Sequence, residues 1–176
     1  MADDVDADLA GVSRALRAEY LDSREMDEEA TEHLARKEAD LIDVVLEAMQ
    51  RGQPLRVRVG ASQFAGAVVH VADDLAVIDD DSGAQVDVRL SALDELWILD
   101  PVAGAGRGRR SEVPASWEDC LEGLEATGRF VELGGSRLPP ARCRVLVAAR
   151  DHLVLDGGAH PRVVARGAVG FIVRRA

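Results

Sequence analysis

Arginine residues are concentrated near the end of the chain. Residues 129–176 hold nine arginines against three acidic residues, together with an Arg-Gly pair and two histidines. Guanidinium groups bind phosphates, an imidazole ring can stack on a base, and a glycine beside an arginine removes a side chain from the path of the guanidinium. The pattern indicates single-stranded RNA binding, with these candidate residues: Arg142, Arg144, Arg150, His152, Arg162, Arg166 and Gly167. The alternative is that Arg166 and Gly167 form a tight turn between two strands whose arginines face solvent.

Catalytic and metal-binding motifs are not found in the sequence. Cys120 and Cys143 lack the paired spacing of a zinc site. Ser91 is not part of a nucleophile elbow, and no glycine-rich phosphate loop opens a helix after a strand. The acidic run from Asp79 lacks the glutamate that closes a calcium loop, because Leu90 occupies that position. We therefore expect a non-catalytic protein with no metal and no cofactor.

The formal net charge of −11 is unevenly distributed. Residues 1–50 carry 15 acidic and 5 basic side chains, whereas residues 129–176 have an excess of basic ones. This asymmetry indicates an acidic arm and a basic face. The chain starts without a basic segment followed by an apolar one, no apolar run approaches the roughly 18 residues of a membrane span, and two cysteines provide no disulfide framework. These features predict a cytoplasmic protein.

Two helices are predicted within residues 1–52, which we interpret as an acidic helical segment. Residues 7–21 place apolar side chains at spacings of three and four. A short helix ahead of the folded part has little to pack against, so its apolar side chains are candidates for docking a protein partner: Leu9, Leu16 and Tyr20. Residues 27–50 predict a second helix, with apolar side chains along one face and many acidic side chains on the other. Gly52 and Pro54 end this helix.

After Pro54 the hydrophobic period changes from that of a helix to that of a strand. Leu55, Val57 and Val59 alternate with arginines, which is typical of a half-buried strand. Four further short segments follow, and the run at 79–83 has the aspartates and the glycine of a hairpin turn. Five short strands with tight connections predict a small SH3-like barrel over the segment 53–100.

A linker and another helix follow these strands. Residues 101–115 are rich in Gly, Pro and Arg and have no hydrophobic period, which indicates a linker. Ser116, with Asp119 three residues later, is a typical helix N-cap, and Gly128 ends the helix.

The segments after this helix repeat the pattern of the first strands. "VGASQFAGAVVHV" (59–71) matches "LGGSRLPPARCRV" (133–145), and "VRLSALDELWI" (88–98) matches "VARGAVGFIVR" (164–174), with a period near 75 residues. The repeat predicts a helix and a second barrel over residues 116–176. The expected fold class is therefore mostly β with helices (α+β): two tandem five-stranded barrels, each preceded by a helix, behind an N-terminal helical arm.

The last strands resemble a motif of Sm-like domains, in which a helix precedes a strongly bent five-stranded sheet. That motif combines an apolar residue, an Arg-Gly pair and further apolar residues. It fits these positions: Val164, Arg166, Gly167, Val169 and Ile172. Asp151 and His152 are similar to the aspartate and the stacking residue of the family's earlier motif, whose asparagine is missing here. The first repeat has Leu90 and Ser91 in place of Arg-Gly.

The chain as a whole is similar to an uncharacterised family of actinobacterial proteins with acidic N-terminal helices and two Sm-like or SH3-like halves. That resemblance implies an architecture and no particular activity. We expect a non-catalytic interaction or scaffold protein that binds a protein partner and no membrane. The alternative is RNA binding by the basic second barrel. A homo-oligomer, or a pseudo-dimer of the two barrels, is a further expectation.

Overall fold

The computed structural model describes residues 39–101 and 114–175. The helix predicted over 7–21 lies outside the described residues, as does the first part of the helix predicted over 27–50. The described helices and strands, in chain order, are α1 (Leu41–Gln50), β1 (Leu55–Val59), β2 (Ser62–Ala72), β3 (Leu75–Asp80), β4 (Gln85–Arg89), β5 (Glu95–Ile98), α2 (Trp117–Thr127), β6 (Phe130–Gly135), β7 (Leu138–Ala148), β8 (His152–Asp156), β9 (Arg162–Ala165) and β10 (Phe171–Arg174). Short 3₁₀ turns at Leu90–Ala92 and Arg166–Ala168 connect β4 to β5 and β9 to β10.

The first strand shows how the sequence period produces the sheet. Leu55 and Val57 in β1 are buried, whereas Arg56 between them is exposed. Successive side chains of a strand point to opposite faces, so this alternation buries one face and leaves the other to solvent. The five strands predicted between residues 55 and 99 are confirmed as β1 to β5, and the turn predicted at 79–83 lies between β3 and β4.

Helix α2 begins and ends where its sequence predicts. The Ser116 side-chain oxygen accepts a hydrogen bond from the Asp119 backbone N–H at 3.0 Å. Gly128 ends the helix in the left-handed region with φ 58°, which costs a glycine little. Trp117 and Leu121 are buried, and α2 packs against β7.

All ten strands of the described residues belong to one antiparallel sheet, in the order β5-β1-β2-β3-β4-β10-β6-β7-β8-β9. The pairing of β4 with β10 joins the first five strands to the second five, and it places Phe171 opposite Val88. The sheet is open, with β5 and β9 at its edges. A mostly β fold with helices is therefore confirmed. Two separate barrels are not confirmed, because β10 pairs with β4 as well as with β6.

The internal repeat is visible in the positions of the elements. Helices α1 and α2 begin at Leu41 and Trp117, and strands β5 and β10 begin at Glu95 and Phe171. Both separations are 76 residues, close to the period expected from the sequence. Residues that are 76 positions apart in these elements are called equivalent below.

In the first hairpin of each half, the sequence match over 59–71 differs by two residues from the correspondence that the structure shows. It aligned Gly60 with Gly134, whereas the turns between the paired strands begin at Gly60 and Ser136. The two halves do not place their glycines at the same turn position, and an alignment based on shared glycines therefore gives the wrong offset.

The described residues form two hydrophobic clusters, and each takes residues from both halves of the sheet. Phe171 of β10 belongs to the cluster around β1 to β4, with its ring centre 4.8 Å from that of Phe64. Leu75 and Val77 of β3 belong to the cluster around α2. Because the halves share buried contacts, each stabilises the other.

Candidate nucleic-acid interface

The seven residues predicted to bind RNA divide into two groups at opposite ends of β8. Arg144 lies opposite Asp156 at the last position of this strand, whereas His152 lies opposite Ala165 at the first position. Four residue steps of a strand span about 13 Å. The group at the end of β8 contains Arg142, Arg144 and Arg162, and the group at its start contains Arg150, His152, Arg166 and Gly167.

At the start of β8, Arg166 joins the β9–β10 turn to the β7–β8 loop. The Arg166 Nη1 donates a hydrogen bond to the Ala149 carbonyl at 3.1 Å, and its backbone N–H donates to the Asp151 carbonyl at 2.9 Å. The Nε and Nη2 of Arg166 are buried without a hydrogen-bond partner among the described residues. A Cβ at Gly167 would meet no atom within 4 Å, so space does not require a glycine there. Arg166 and Gly167 lie in the 3₁₀ turn between β9 and β10, and these hydrogen bonds link that turn to the β7–β8 loop.

The exposed members of this group are a charged pair and one arginine. His152 Nδ1 lies 2.6 Å from Asp151 Oδ1, and this hydrogen bond, together with the charge of the imidazole, lowers the pKa of Asp151. Arg150 is exposed beside them. The carboxylate of Asp151 offsets part of the positive charge at this end of β8, as the carboxylate of Asp156 does beside Arg144 at the other end.

The group at the end of β8 surrounds an aromatic ring. Phe130, the first residue of β6, is 53% exposed. The guanidinium carbons of Arg142 and Arg144 lie 5.8 and 5.7 Å from the centre of its ring, which is cation–π distance. Arg144 lies directly opposite Phe130, and Arg142 is two residues away on the same face of β7. We name Phe130, Arg142 and Arg144 the aromatic–arginine patch.

Among the surface cavities of the described residues, two are lined by both Phe130 and Arg142. Their volumes are about 410 and 290 Å³. Asp156 lines the larger one and accepts a hydrogen bond from Arg144 Nη2 at 2.5 Å. Arg175 lines the smaller one. Each cavity thus combines a cation with an aromatic ring, which suits a flat ligand that carries negative charge.

Phe130 was not among the predicted site residues, although the sequence contains a signal for it. In β6 the buried residues Val131 and Leu133 alternate with Phe130 and Glu132. The period of two therefore places an aromatic side chain on the polar face of the strand. An aromatic residue on a polar face is a candidate for ligand contact.

Arg162 does not belong to the patch. It lies opposite Leu155 in the β8–β9 pairing, whereas Arg144 lies opposite the next residue, Asp156. Directly opposite residues share a face of the sheet, so Arg162 is on the other face from Arg144. It lies near Cys143, where burial raises the pKa of the thiol and the charge of Arg162 opposes this effect.

A buried polar cluster lies where β4 meets β10. Arg174 Nη2 is 2.7 Å from Asp87 Oδ2, and Asp87 is 1% exposed. Cys120 donates a hydrogen bond from its thiol to Asp87 at 3.2 Å. Burial raises the pKa of Asp87 against the attraction of Arg174, and burial and the charge of Asp87 raise the pKa of Cys120. A thiol that stays protonated is a poor nucleophile, so this cluster joins strands and offers no reactive group.

Within residues 39–101 and 114–175 no cluster of His, Cys, Asp or Glu side chains is arranged to hold a metal ion. The helices described there are too short or too polar to span a membrane. The docking candidates Leu9, Leu16 and Tyr20 lie outside the described residues.

No protein-family model matches this chain, and neither a curated protein nor a solved structure matches it. The resemblance to Sm-like domains therefore rests on the residues and the strand order of this chain alone.

Proposed function

We propose that this chain is a non-catalytic interaction protein built from two tandem five-stranded units of the Sm-like or SH3-like type. The repeated order of elements supports this proposal, because each unit has one helix followed by five strands. The first unit has the strand order β5-β1-β2-β3-β4, and the second has the equivalent order β10-β6-β7-β8-β9. A fold of this kind does not define a ligand, so the ligand is inferred from the exposed side chains.

The ligand that best fits the described surface is single-stranded nucleic acid, bound at the aromatic–arginine patch. The observation that carries this proposal is the exposed ring of Phe130 beside the guanidinium groups of Arg142 and Arg144. Proteins that bind single strands combine aromatic rings, on which bases stack, with cations that follow the phosphates. A base stacks on the exposed part of the ring while neighbouring phosphates contact the two arginines.

The distribution of charge supports binding at this unit. Residues 129–176 carry nine arginines and three acidic residues, although the whole chain has a net charge of −11. An acidic protein gains little from long-range attraction to phosphates, so its affinity must come from a local patch. The aromatic–arginine patch supplies two cations and a stacking surface within one group of side chains.

Two pairs of variants test where the nucleic acid binds. Phe130→Ala removes the stacking ring, and Leu146→Ala is its control, because Leu146 is another exposed apolar residue of the second unit. Arg142→Ala removes one cation of the patch, and its control is Arg137→Ala in the exposed β6–β7 turn. Fluorescence anisotropy of a labelled single-stranded RNA measures the Kd of each variant.

Phe130→Ala is expected to raise the Kd at least about fivefold, since stacking on an aromatic side chain contributes about 1–3 kcal/mol per base. Arg142→Ala is expected to raise it as well, whereas both controls keep the wild-type Kd. Equal affinities for Phe130→Ala and Leu146→Ala would show that the ligand does not bind at the patch.

A further inference from the structure

The exposed ring of Phe130 borders a third surface cavity, in addition to the two beside the patch. This cavity has a volume of about 500 Å³ and lies between helix α2, the first residues of β6 and the end of β10. We name it the α2–β10 cavity. Arg175 lines both this cavity and the cavity of about 290 Å³, which in turn shares Phe130 and Arg142 with the cavity of about 410 Å³. The three cavities therefore adjoin one another in a row around the ring.

Arginines outnumber acidic residues in the α2–β10 cavity. The cavity of about 410 Å³ is lined by one arginine and one aspartate, Arg142 and Asp156. The α2–β10 cavity is lined by one aspartate, Asp119, and by three arginines: Arg129, Arg174 and Arg175. Its excess of positive charge favours a phosphate there over the cavity at the other end of the row.

Two of these three arginines are available to a ligand. Arg174 is paired with the buried carboxylate of Asp87 at the β4–β10 junction. Arg129 is exposed and forms no ion pair with a described residue. The side chain of Arg175 is 69% exposed, and its guanidinium lies 3.4 Å from Glu132, which is a longer contact than the 2.7 Å of the buried pair. Arg129 and Arg175 can therefore bind a phosphate without breaking a buried ion pair.

Gly123 of α2 keeps this cavity open. It lies inside the helix, where a glycine destabilises the folded chain relative to an alanine. A Cβ at Gly123 would meet no atom within 4 Å, so packing does not require the glycine. Because Gly123 lines the α2–β10 cavity, its missing side chain leaves room for a ligand against the helix.

Arg129, Phe130 and Arg175 have no counterpart in the first unit. At the positions 76 residues earlier, the first unit has neither a cation nor an aromatic ring but these residues: Gln53, Pro54 and Leu99. A helix followed by five strands therefore forms without cations or a ring at these positions. We attribute their presence in the second unit to a ligand rather than to folding.

We propose that a single strand of nucleic acid bound at the aromatic–arginine patch continues past Phe130 into the α2–β10 cavity, where Arg129 and Arg175 bind its next phosphates. This inference rests on the proposed function and extends it, because it gives the strand a path from the end of β8, past the ring, to helix α2. A short RNA reaches only the two arginines of the patch, whereas a longer RNA also contacts Arg129 and Arg175. The absence of a side chain at Gly123 allows the strand to lie against the helix.

The salt dependence of binding for two lengths of RNA tests this path. Fluorescence anisotropy with the full chain measures the Kd of labelled oligoadenylates of about four and about eight nucleotides, at about 50 and 200 mM salt. Each phosphate contact on a single strand contributes a slope of about 0.7, so two contacts raise the Kd about sevenfold over this range and four contacts raise it about fiftyfold. The shorter RNA is expected to show the first change and the longer RNA the second. A longer RNA also offers more binding registers, but these lower its Kd without making the salt dependence steeper.

Arg129→Ala and Arg175→Ala each remove one contact of the longer RNA. Each variant is expected to reduce its change in Kd with salt from about fiftyfold to about twentyfold, and the double variant to about sevenfold. Neither variant is expected to change the Kd of the shorter RNA. The matched control is Arg137→Ala, which removes an exposed arginine at the other end of β6 and keeps the wild-type values for both RNAs.

Gly123→Gln tests the path without a change of charge. Its side chain fills space beside α2, so the Kd of the longer RNA is expected to rise at least about fivefold, while that of the shorter RNA stays unchanged. Gly123→Ala is the control, because a methyl group occupies little of the cavity. Both changes favour the helix, so weaker binding by Gly123→Gln does not result from unfolding. Circular dichroism establishes that each variant is folded.

Equal salt dependence for the two lengths of RNA would overturn the inference. A steeper dependence for the longer RNA that Arg129→Ala and Arg175→Ala leave at its wild-type value would overturn it as well. In both cases the loss of affinity in Phe130→Ala would still support the proposed function. Binding of neither RNA would remove the proposed function and this inference together.

Discussion

At the scale of single residues, Asp74 links the start of β3 to the 3₁₀ turn after β4 through hydrogen bonds. Its carboxylate accepts hydrogen bonds from the Ser91 backbone N–H at 2.7 Å, the Ser91 hydroxyl at 2.6 Å and the Arg89 Nε at 2.7 Å. Burial alone would raise the pKa of Asp74, but the hydrogen bonds from Ser91 and Arg89 outweigh it, and the pKa lies below the ordinary value of 3.8. Folding therefore favours the ionised form of this residue.

Ionisation of the Asp74 carboxylate is expected to make the free energy of unfolding depend on pH. Because the pKa of Asp74 is lower in the folded than in the unfolded chain, its contribution is complete above the ordinary pKa of 3.8 and is lost as the pH falls through the folded pKa. Urea unfolding at several pH values is expected to show a smaller acid-induced loss for Asp74→Asn than for the wild type. Asp81→Asn, in the exposed β3–β4 turn, is the control and keeps the wild-type slope. Parallel curves for Asp74→Asn and the wild type would contradict this role.

Contacts between residues close in the sequence could be predicted from their spacing, whereas contacts between strands could not. Ser116 and Asp119 form the predicted N-cap, because that hydrogen bond joins residues three positions apart. The contact of Phe130 with Arg142 and Arg144 depends instead on the register between β6 and β7. Two of the three residues of the patch, Arg142 and Arg144, were therefore predicted from composition, whereas their contact with Phe130 required the strand pairing.

At the scale of elements, the β4–β10 junction depends on one buried ion pair. Arg174→Ile leaves the carboxylate of Asp87 at 1% exposure without its counter-ion. Loss of one partner of a buried pair costs about 3–5 kcal/mol, and this is the expected decrease in the free energy of unfolding. Adding Asp87→Val removes the unpaired carboxylate and leaves two apolar residues in its place, so the double variant is expected to recover most of the loss.

Urea unfolding of the wild type, the two single variants and the double variant gives the coupling between the two side chains. A strong coupling shows that β4 and β10 are held together through this pair. A double variant that is no more stable than Arg174→Ile would show that the unpaired carboxylate of Asp87 is not the cause of the loss.

The elements themselves could be predicted more completely than their arrangement. Strands β1 to β5 follow from the period of two, which is a local property of the sequence. The β4–β10 pairing places Phe171 opposite Val88, and such distant partners leave no periodic signal in either strand. The repeat therefore predicted two tandem barrels, whereas the described strands form one open sheet.

At the scale of the whole molecule, the continuous sheet places the aromatic–arginine patch away from its edges. The patch lies within the second unit, on strands β6 and β7. Both are interior strands of the sheet, whose edges are β5 and β9. The side chains of one chain alone therefore form the patch.

The salt dependence of binding to a short single-stranded RNA tests the central claim most directly. Two phosphate contacts, one at each arginine of the patch, are expected to raise the Kd about sevenfold between about 50 and 200 mM salt, since each contact on a single strand contributes a slope of about 0.7. A rise of this size that Arg142→Ala reduces would support nucleic-acid binding at the patch. No binding at the lower salt concentration, or a Kd that does not change with salt, would contradict it.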